Sequence, residues 1–155
     1  MKLAVIQVRG GIHLSPEHKQ SLNYLQLRKK NSCVILENSP SYMGALVKLK
    51  DYVTWGEVDE QTLKLLLEKR GRLAGNQLIS ENYLKEKTKM GFEQFVKSFA
   101  ENKIKLKDVP GLKTYFRLTP PKGGFEREGI KKQFSLGGAL GYRKDNINNL
   151  LRRMI

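Results

Sequence analysis

The sequence has few of the features on which disulfide-bonded, membrane-spanning or metal-dependent proteins rely. Its 155 residues include one cysteine, Cys33, and two histidines. No run of apolar residues approaches the roughly 20 that a membrane-spanning helix needs, and the first nine residues are too short and too alternating for a signal peptide. A lone cysteine cannot form an intrachain disulfide, and Cys33 lies within an apolar run. We therefore expect a small core residue, in the reducing cytoplasm.

Acidic residues are scarce beside basic ones. The chain has 29 lysines and arginines against 15 aspartates and glutamates, a net charge of +14. Residues 1–55 carry 8 basic and 3 acidic side chains, residues 56–111 carry 11 and 9, and residues 112–155 carry 10 and 3. A surface charged for solubility alone would show an even spread, so this distribution indicates a polyanionic partner. A membrane surface is the weaker alternative, because the sequence shows no basic amphipathic helix with a broad aromatic face.

Hydrophobic patterning predicts a strand–helix–strand–helix unit at the start of the chain. Residues 3–8 and 32–37 have the apolar, β-branched composition of buried strands. The serine–proline pairs at 15–16 and 39–40 are typical helix starts, with serine as the N-cap and proline at the first helical position. The first helix is expected to end at the basic residues 28–30, which suit the negative end of a helix.

This unit needs at least one more strand to cover its apolar face, and residues 112–118 are predicted to provide it. The α+β core would then consist of residues 1–55 and 109–125. Residues 56–108 are predicted to be a small helical insertion, and residues 126–155 a basic, glycine-containing tail with a terminal helix.

Several local signals support helices in the insertion. Asp59 and Ser80 are expected to be N-caps, and Gly71 a left-handed C-cap. Three phenylalanines and a valine follow at helical spacing, which predicts an amphipathic helix. We interpret this stripe as core, rather than as a platform on which bases stack. Its members are Phe92, Phe95, Val96 and Phe99.

Residues 22–44 resemble the signature of a ribosomal protein family. They combine a Leu-x-x-Leu-x-Leu run, the basic sequence Arg-Lys-Lys-Asn, an apolar strand and the second helix start. This order is similar to the universal large-subunit ribosomal protein family that is numbered thirty in bacteria and archaea and seven in eukaryotes. Residues 53–57 and 116–125 resemble the longer archaeal-type members. The chain lacks the long basic N-terminal extension of eukaryotic members, so we expect an archaeal-type protein.

The resemblance implies a three-stranded antiparallel sheet packed on two helices, similar to a ferredoxin-like half. It also implies a structural constituent of the large ribosomal subunit that binds large-subunit ribosomal RNA near 5S RNA and stabilises its tertiary fold. Neighbouring ribosomal proteins would be its other partners, and the chain would be a monomer within the ribosome. The resemblance implies no catalytic activity. From the residues themselves we also expect no cofactor, no metal and no membrane partner.

Two groups of residues are candidates for RNA contact. The first forms a phosphate clamp, because clustered cations on short loops can reach a phosphate backbone and release its counterions. The alternative for its basic turn is a simple cap on the helix end. The members of this group lie at the turn before the second strand, after the first strand, and on the second helix: Arg28, Lys29, Lys30, Arg9, His13, Lys48 and Lys50.

The second group belongs to a loop that we expect to thread into RNA. Prolines stiffen its entry, and glycines leave backbone N–H groups free to approach phosphate. Phe125 is a candidate for stacking on a base. The alternative is an ordinary surface loop. We expect residues 119–144 to stay disordered until RNA neutralises them. The candidate residues are Lys122, Gly123, Gly124, Phe125, Arg127, Lys131, Lys132 and Arg143.

Two other functions compete with this hypothesis. A small RNA-modifying enzyme would need a catalytic constellation, but His13 and His18 are five residues apart across a helix start and cannot share a helical face. A DNA-binding architectural protein would bind duplex DNA with similar affinity. The glycine-rich residues 137–141 are similar to KH-type or dinucleotide-binding loops. We discount both, because no suitable strand leads into them and no acidic residue follows ~20 positions later.

Overall fold

The computed structural model describes residues 2–155. Met1, the first residue of the predicted core, lies outside the described residues. The strands and helices follow one another as β1 (Lys2–Gln7), α1 (Pro16–Tyr24), β2 (Ser32–Glu37), α2 (Pro40–Lys48), β3 (Val53–Glu57), α3 (Glu60–Arg70), α4 (Glu81–Thr88), α5 (Phe92–Ala100), β4 (Tyr115–Arg117), β5 (Gly141–Tyr142) and α6 (Asn146–Met154).

The strands form one mixed sheet in the order β4-β2-β1-β3-β5. The central strand, β1, runs antiparallel to β2 and β3, and β4 runs antiparallel to β2. The last strand, β5, runs parallel to β3. The predicted α+β class is confirmed, but the described sheet has five strands rather than three. All six residues of β1 are buried, which explains its continuous apolar run.

One of the two additional strands, β3, lies where the sequence indicated a boundary. The predicted third strand is present as β4, at one edge of the sheet. The predicted division between residues 55 and 56 falls inside β3. A Cβ atom at Gly56 would come within 2.0 Å of the Lys144 carbonyl oxygen, so glycine is needed there for α6 to approach the strand.

Helices cover both faces of the sheet. The first face carries Leu3, Val5 and Val34, and α1 and α2 pack on it. The second face carries Ala4, Ile6, Cys33 and Ile35, and residues of α3, α5 and α6 pack on it. Residues 56–108 therefore share one hydrophobic core with the sheet. The four members of the phenylalanine stripe in α5 are buried there, as predicted.

The four predicted N-caps are confirmed. The side chains of Ser15, Ser39, Asp59 and Ser80 each accept a hydrogen bond from a backbone N–H in the first turn of their helices. The predicted left-handed cap at Gly71 is wrong, because this residue is extended with φ −63° and ψ 123°.

The first helix ends earlier than the sequence suggests, at Tyr24. Gln26 and Asn31 both adopt left-handed backbone conformations, with φ of 61° and 62°, and residues in this region end a right-handed helix. The basic residues 28–30 consequently lie in the connection between α1 and β2, outside the last turn of the helix.

Candidate nucleic-acid interface

The sheet brings several basic loops to one of its ends. In the antiparallel register, β1 ends where β2 and β3 begin, and β4 ends beside the start of β2. The Asn31 N–H donates to the Gln7 carbonyl oxygen at 2.8 Å, and the Leu118 N–H donates to the Asn31 carbonyl oxygen at 3.0 Å. We call this region the basic end, and it consists of residues 8–13, 28–31, 48–52 and 117–140.

The basic turn at the start of β2 is exposed to solvent. Arg28, Lys29 and Lys30 are all exposed. Because α1 ends at Tyr24 and its last turn contains no basic residue, these side chains do not cap the helix. The structure therefore removes the alternative explanation for the turn, and leaves three cations on a short loop where a phosphate backbone can reach them.

Two of these cations line a groove of about 540 Å³. Its lining combines residues of the turn before β2 with residues from 72–76 and 112–117. None of the described residues that line the groove carries a carboxylate. The lining residues are Gln26, Arg28, Lys29, Ser32, Arg72, Asn76, Leu112, Lys113, Thr114, Tyr115 and Arg117.

Sequence reasoning missed Arg72, Lys113 and Arg117 in this groove. Arg117 lies directly opposite Ser32 in the β2–β4 pair, so the correct strand pairing would have placed it beside the basic turn. Lys113 donates its backbone N–H to the Arg72 carbonyl oxygen at 2.9 Å. That contact joins segments about forty residues apart in sequence, and no local pattern indicates it.

Hydrogen bonds fix the groove walls. The Arg72 guanidinium donates to the Asn76 carbonyl oxygen at 3.1 Å, and this contact fixes its direction. The Thr114 hydroxyl hydrogen-bonds the Gln26 side chain. Gln26 has a left-handed backbone conformation two residues before Arg28, where the chain has just left α1.

The other predicted members of the first group have mixed surroundings. Arg9 is half-buried, donates to the Asp51 carbonyl oxygen at 3.2 Å, and lies 5.3 Å from the Tyr52 ring. Lys48 forms an exposed ion pair of 3.0 Å with Glu17, which contributes little to stability. The remaining two, His13 and Lys50, are exposed.

Arg143 is not available to RNA, and its predicted role is wrong. Its side chain is 2% exposed and forms an ion pair of 2.6 Å with Glu126. It also donates to the Thr54 hydroxyl and to the Ala139 carbonyl oxygen, both at 2.8 Å. The pairing of β5 with β3 directs the chain inward at this point, since the Arg143 N–H donates to the Trp55 carbonyl oxygen.

The pair between Glu126 and Arg143 is electrostatically matched. Partial burial of Glu126 opposes ionisation, but the hydrogen bond and charge of Arg143 outweigh it and hold the pKa of Glu126 below its ordinary value. The Arg143 guanidinium also lies 4.7 Å from the centre of the Phe134 ring. The Arg143 side chain therefore joins both halves of the loop between β4 and β5 to β3.

Phe125 is only partly exposed. The ring is half-buried and packs against a small cluster of Val8, Ala139 and Leu140, together with Ile130. The cluster covers part of the ring, and the stacking role predicted from the sequence stays a prediction.

The rest of the second group lies at the surface of the loop. Gly123 and Gly124 have φ of 78° and 79°, and a Cβ atom at either position would meet no neighbour. Lys122, Arg127 and Lys131 are exposed. Lys132 forms an exposed ion pair of 2.6 Å with Glu128.

The loop is folded rather than extended. The Ala139 N–H donates to the Gly129 carbonyl oxygen at 3.0 Å, and the Lys122 N–H donates to the Arg153 carbonyl oxygen at 3.0 Å. These contacts, with the buried Arg143, differ from the expectation that residues 119–144 are disordered without RNA.

Residues 2–155 were also compared with the requirements of a metal site, a membrane-spanning helix and a reactive cysteine. No group of three or more histidine, cysteine, aspartate or glutamate side chains there could hold a metal ion. No helix among them has the length and apolar character needed to cross a membrane. Cys33 is fully buried, and burial raises the pKa of its thiol, so it is the core residue that its apolar neighbours predict.

Comparison with known proteins identifies the family. A family model described as ribosomal protein L30p/L7e matches residues 3–53. A large ribosomal subunit protein uL30 from Methanopyrus kandleri is 46% identical over 149 residues, which cover 96% of this chain and 100% of the relative. The chain belongs to the uL30 family. The uL30 protein of Methanococcus maripaludis is 44% identical over the full length of both chains. The uL30 protein of Nanoarchaeum equitans is 43% identical over 152 residues, which cover 98% of this chain and 97% of the relative.

These relatives confirm the resemblance carried by residues 22–44, and they confirm the archaeal type. The match to the family model contains the basic turn at 28–30, but ends before Arg72, Lys113 and Arg117. The uL30 relatives extend along nearly the whole chain, so residues 56–155 are common to them as well.

Proposed function

We propose that this protein of the large ribosomal subunit binds large-subunit ribosomal RNA through the basic end, near 5S RNA, and stabilises the RNA tertiary fold. The observation that carries this proposal is the groove beside β4, which shares Arg28, Lys29 and Arg117 with the basic end. Five cations from three separate segments line it, and none of its described lining residues is acidic. Cations gathered in this way favour a polyanion and would repel one another without it.

Basic side chains outnumber acidic ones at the basic end, eleven to three. Glu126 is paired with the buried Arg143, Glu128 is paired with Lys132, and Asp51 is exposed. Exposed cations from the turn before β2 and from the loop after β4 therefore remain available for phosphate. Contacts of this kind position a protein on RNA without reading its sequence.

The opposite end of the sheet has a different character. Glu37 pairs with Lys2, the Tyr142 hydroxyl hydrogen-bonds Glu57, and Asp59 pairs with Arg152. The carboxylate at Glu57 raises the pKa of Tyr142 to about 12. The carboxylates named at this end are partnered within the protein, whereas residues 2–155 provide no ion-pair partner for the exposed cations of the turn before β2. This difference supports the basic end as the RNA face.

Co-sedimentation with large ribosomal subunits in high salt tests the proposal. We expect the chain to remain on purified large subunits through a wash that removes loosely bound basic proteins. Crosslinking on those subunits should join the basic end to large-subunit RNA or 5S RNA. Release in the wash, together with equal affinity for duplex DNA, would identify a DNA-binding protein instead. Turnover of RNA that a single acidic or histidine substitution abolishes would identify an enzyme.

A further inference from the structure

The groove runs along an open edge of the sheet. β4 is an edge strand, with β2 as its neighbour on one side. The Leu118 N–H donates to the Asn31 carbonyl oxygen. These two residues lie opposite one another when the β2–β4 register is continued by one residue beyond Ser32 and Arg117. Main-chain groups of alternate residues point to opposite sides of an antiparallel strand. The N–H groups of Tyr115 and Arg117 therefore point away from β2, into the groove.

The groove offers one aromatic side chain among its cations. Tyr115 is half-buried and packs against the hydrophobic cluster beneath α1 and α2, which restricts its ring. Because Arg117 is two residues further along the same strand, its side chain lies on the same face as Tyr115. An anion bound by Arg117 and a flat group lying on Tyr115 would consequently be neighbours.

The volume of the groove suits a single nucleotide. Its volume of about 540 Å³ falls within the roughly 300–1,000 Å³ range of small-molecule sites. In a regular RNA duplex the bases are stacked inside the phosphate backbones, so none of them can enter the groove. Unstacked nucleotides can enter, and proteins recognise them by aromatic stacking together with cationic contacts to the backbone.

We propose that the groove binds a single unpaired nucleotide of RNA. Arg28, Arg117 and the open N–H groups of β4 hold the phosphate, and the Tyr115 ring supports the base. This proposal rests on the proposed function, since it names the form of RNA that the basic end takes. An acidic peptide added to the sheet edge is less well supported. β4 has three residues and would give such a strand few main-chain hydrogen bonds.

The test compares three RNA probes with the purified full-length chain. The first is a single-stranded hexanucleotide, the second a fully abasic hexamer with the same number of phosphates, and the third a blunt RNA duplex. We expect Tyr115→Leu to weaken binding of the hexanucleotide about tenfold and to leave the abasic hexamer and the duplex unchanged. The loss of binding free energy on removing the bases and the loss on removing the ring should not be additive, because both changes eliminate the same interaction.

Two further variants keep the result interpretable. Tyr115→Phe retains the ring and should bind as the parent does, so a loss with leucine alone cannot come from the hydroxyl. Tyr24→Leu removes a tyrosine that is 63% exposed outside the groove, and it should have no effect. Arg117→Gln should weaken both hexamers equally, because the phosphate contact does not depend on a base.

Other outcomes overturn the proposal. Equal weakening of all three probes by Tyr115→Leu would show a structural role for the ring, and no weakening would show that no base lies on it. A glutamate-rich peptide that displaces the hexanucleotide and binds more tightly would indicate strand addition instead. If these results occur while the chain still co-sediments with large subunits, only the nucleotide site fails. Release from the subunits in high salt would overturn the proposed function itself.

Discussion

At the scale of single residues, Arg143 shows how a charge can serve the fold instead of the interface. The side chain is buried, and three groups receive its hydrogen bonds: the Glu126 carboxylate, the Thr54 hydroxyl and the Ala139 carbonyl oxygen. A buried guanidinium is stable only when its donors are satisfied. Its partners lie in β3 and in both halves of the loop, so one cation joins segments that are distant in sequence.

Removing the partner of this buried cation should be strongly destabilising. Glu126→Gln leaves Arg143 charged and buried without a counter-ion, and we expect the free energy of unfolding to fall by about 3 kcal/mol. Urea denaturation measures this change. The matched control is Glu128→Gln, which breaks an exposed pair with Lys132 and should cost less than about 0.5 kcal/mol. Equal small losses in the two variants would contradict the assigned role of Arg143.

The same pair predicts a pH dependence. Arg143 holds the pKa of Glu126 below its ordinary value, so the folded state binds this proton less readily than the unfolded chain does. The stability that the pair contributes is therefore present above the unfolded pKa and lost as pH falls through the folded one. The difference in unfolding free energy between the parent and Glu126→Gln should shrink below about pH 4. A difference that stays constant down to about pH 2 would contradict this explanation.

At the scale of elements, the connection between α1 and β2 combines an early helix end with an exposed basic turn. Arg28→Gln, Lys29→Gln and Lys30→Gln together should lower the affinity for ribosomal RNA. The slope of log affinity against log salt should fall by about 0.7–0.9 for each phosphate that the variant no longer neutralises. A control removes three exposed cations outside the basic end, Lys87, Lys89 and Lys97. Equal slopes for the two triple variants would show that only total charge matters.

The loop between β4 and β5 should be ordered in the free protein, at least where Arg143 anchors it. We expect hydrogen exchange to show protection of the Ala139 and Arg143 amides, which donate to backbone oxygens of Gly129 and Trp55. The Gly123 amide, which has no hydrogen-bond partner within residues 2–155, should exchange quickly. Rapid exchange throughout residues 119–144 would instead restore the expectation of a segment that only RNA orders.

The sequence predicts best the features that local chemistry controls. Serine and proline at 15–16 and 39–40 mark helix starts, because the N-cap hydrogen bond forms within a single turn. β3 was missed because its residues follow closely on a helix and pair with β1, about fifty residues earlier. β5 was missed because a strand of two residues has no detectable periodicity.

The sequence predicted only the part of the candidate site that is local in the chain. Arg28 and Lys29 stand in a run of cations that is visible in the sequence. Arg117 and Arg72 joined them through strand pairing and a single backbone contact, which only the fold supplies. The burial of Arg143 depends on Thr54, 89 residues away in the chain, so no local pattern distinguishes it from an exposed arginine.

At the scale of the whole molecule, two basic regions that are far apart in sequence meet at one end of the sheet. The charge counts show an excess in residues 1–55 and another in residues 112–155. The antiparallel pairing of β2 with β4 brings part of the second region beside the basic turn of the first. The balanced residues 56–108 contribute mainly to the second face of the core, although Arg72 reaches the groove.

Lysine acetylation of the chain, free and within purified large subunits, tests this account most directly. Lysines of the basic end should be modified in the free chain and protected in the subunit: Lys29, Lys30, Lys122 and Lys131. Lysines outside the basic end should be protected less: Lys87, Lys97 and Lys103. Protection of the second set alone, with the first still reactive in the subunit, would contradict the assignment of the basic end as the RNA-binding face.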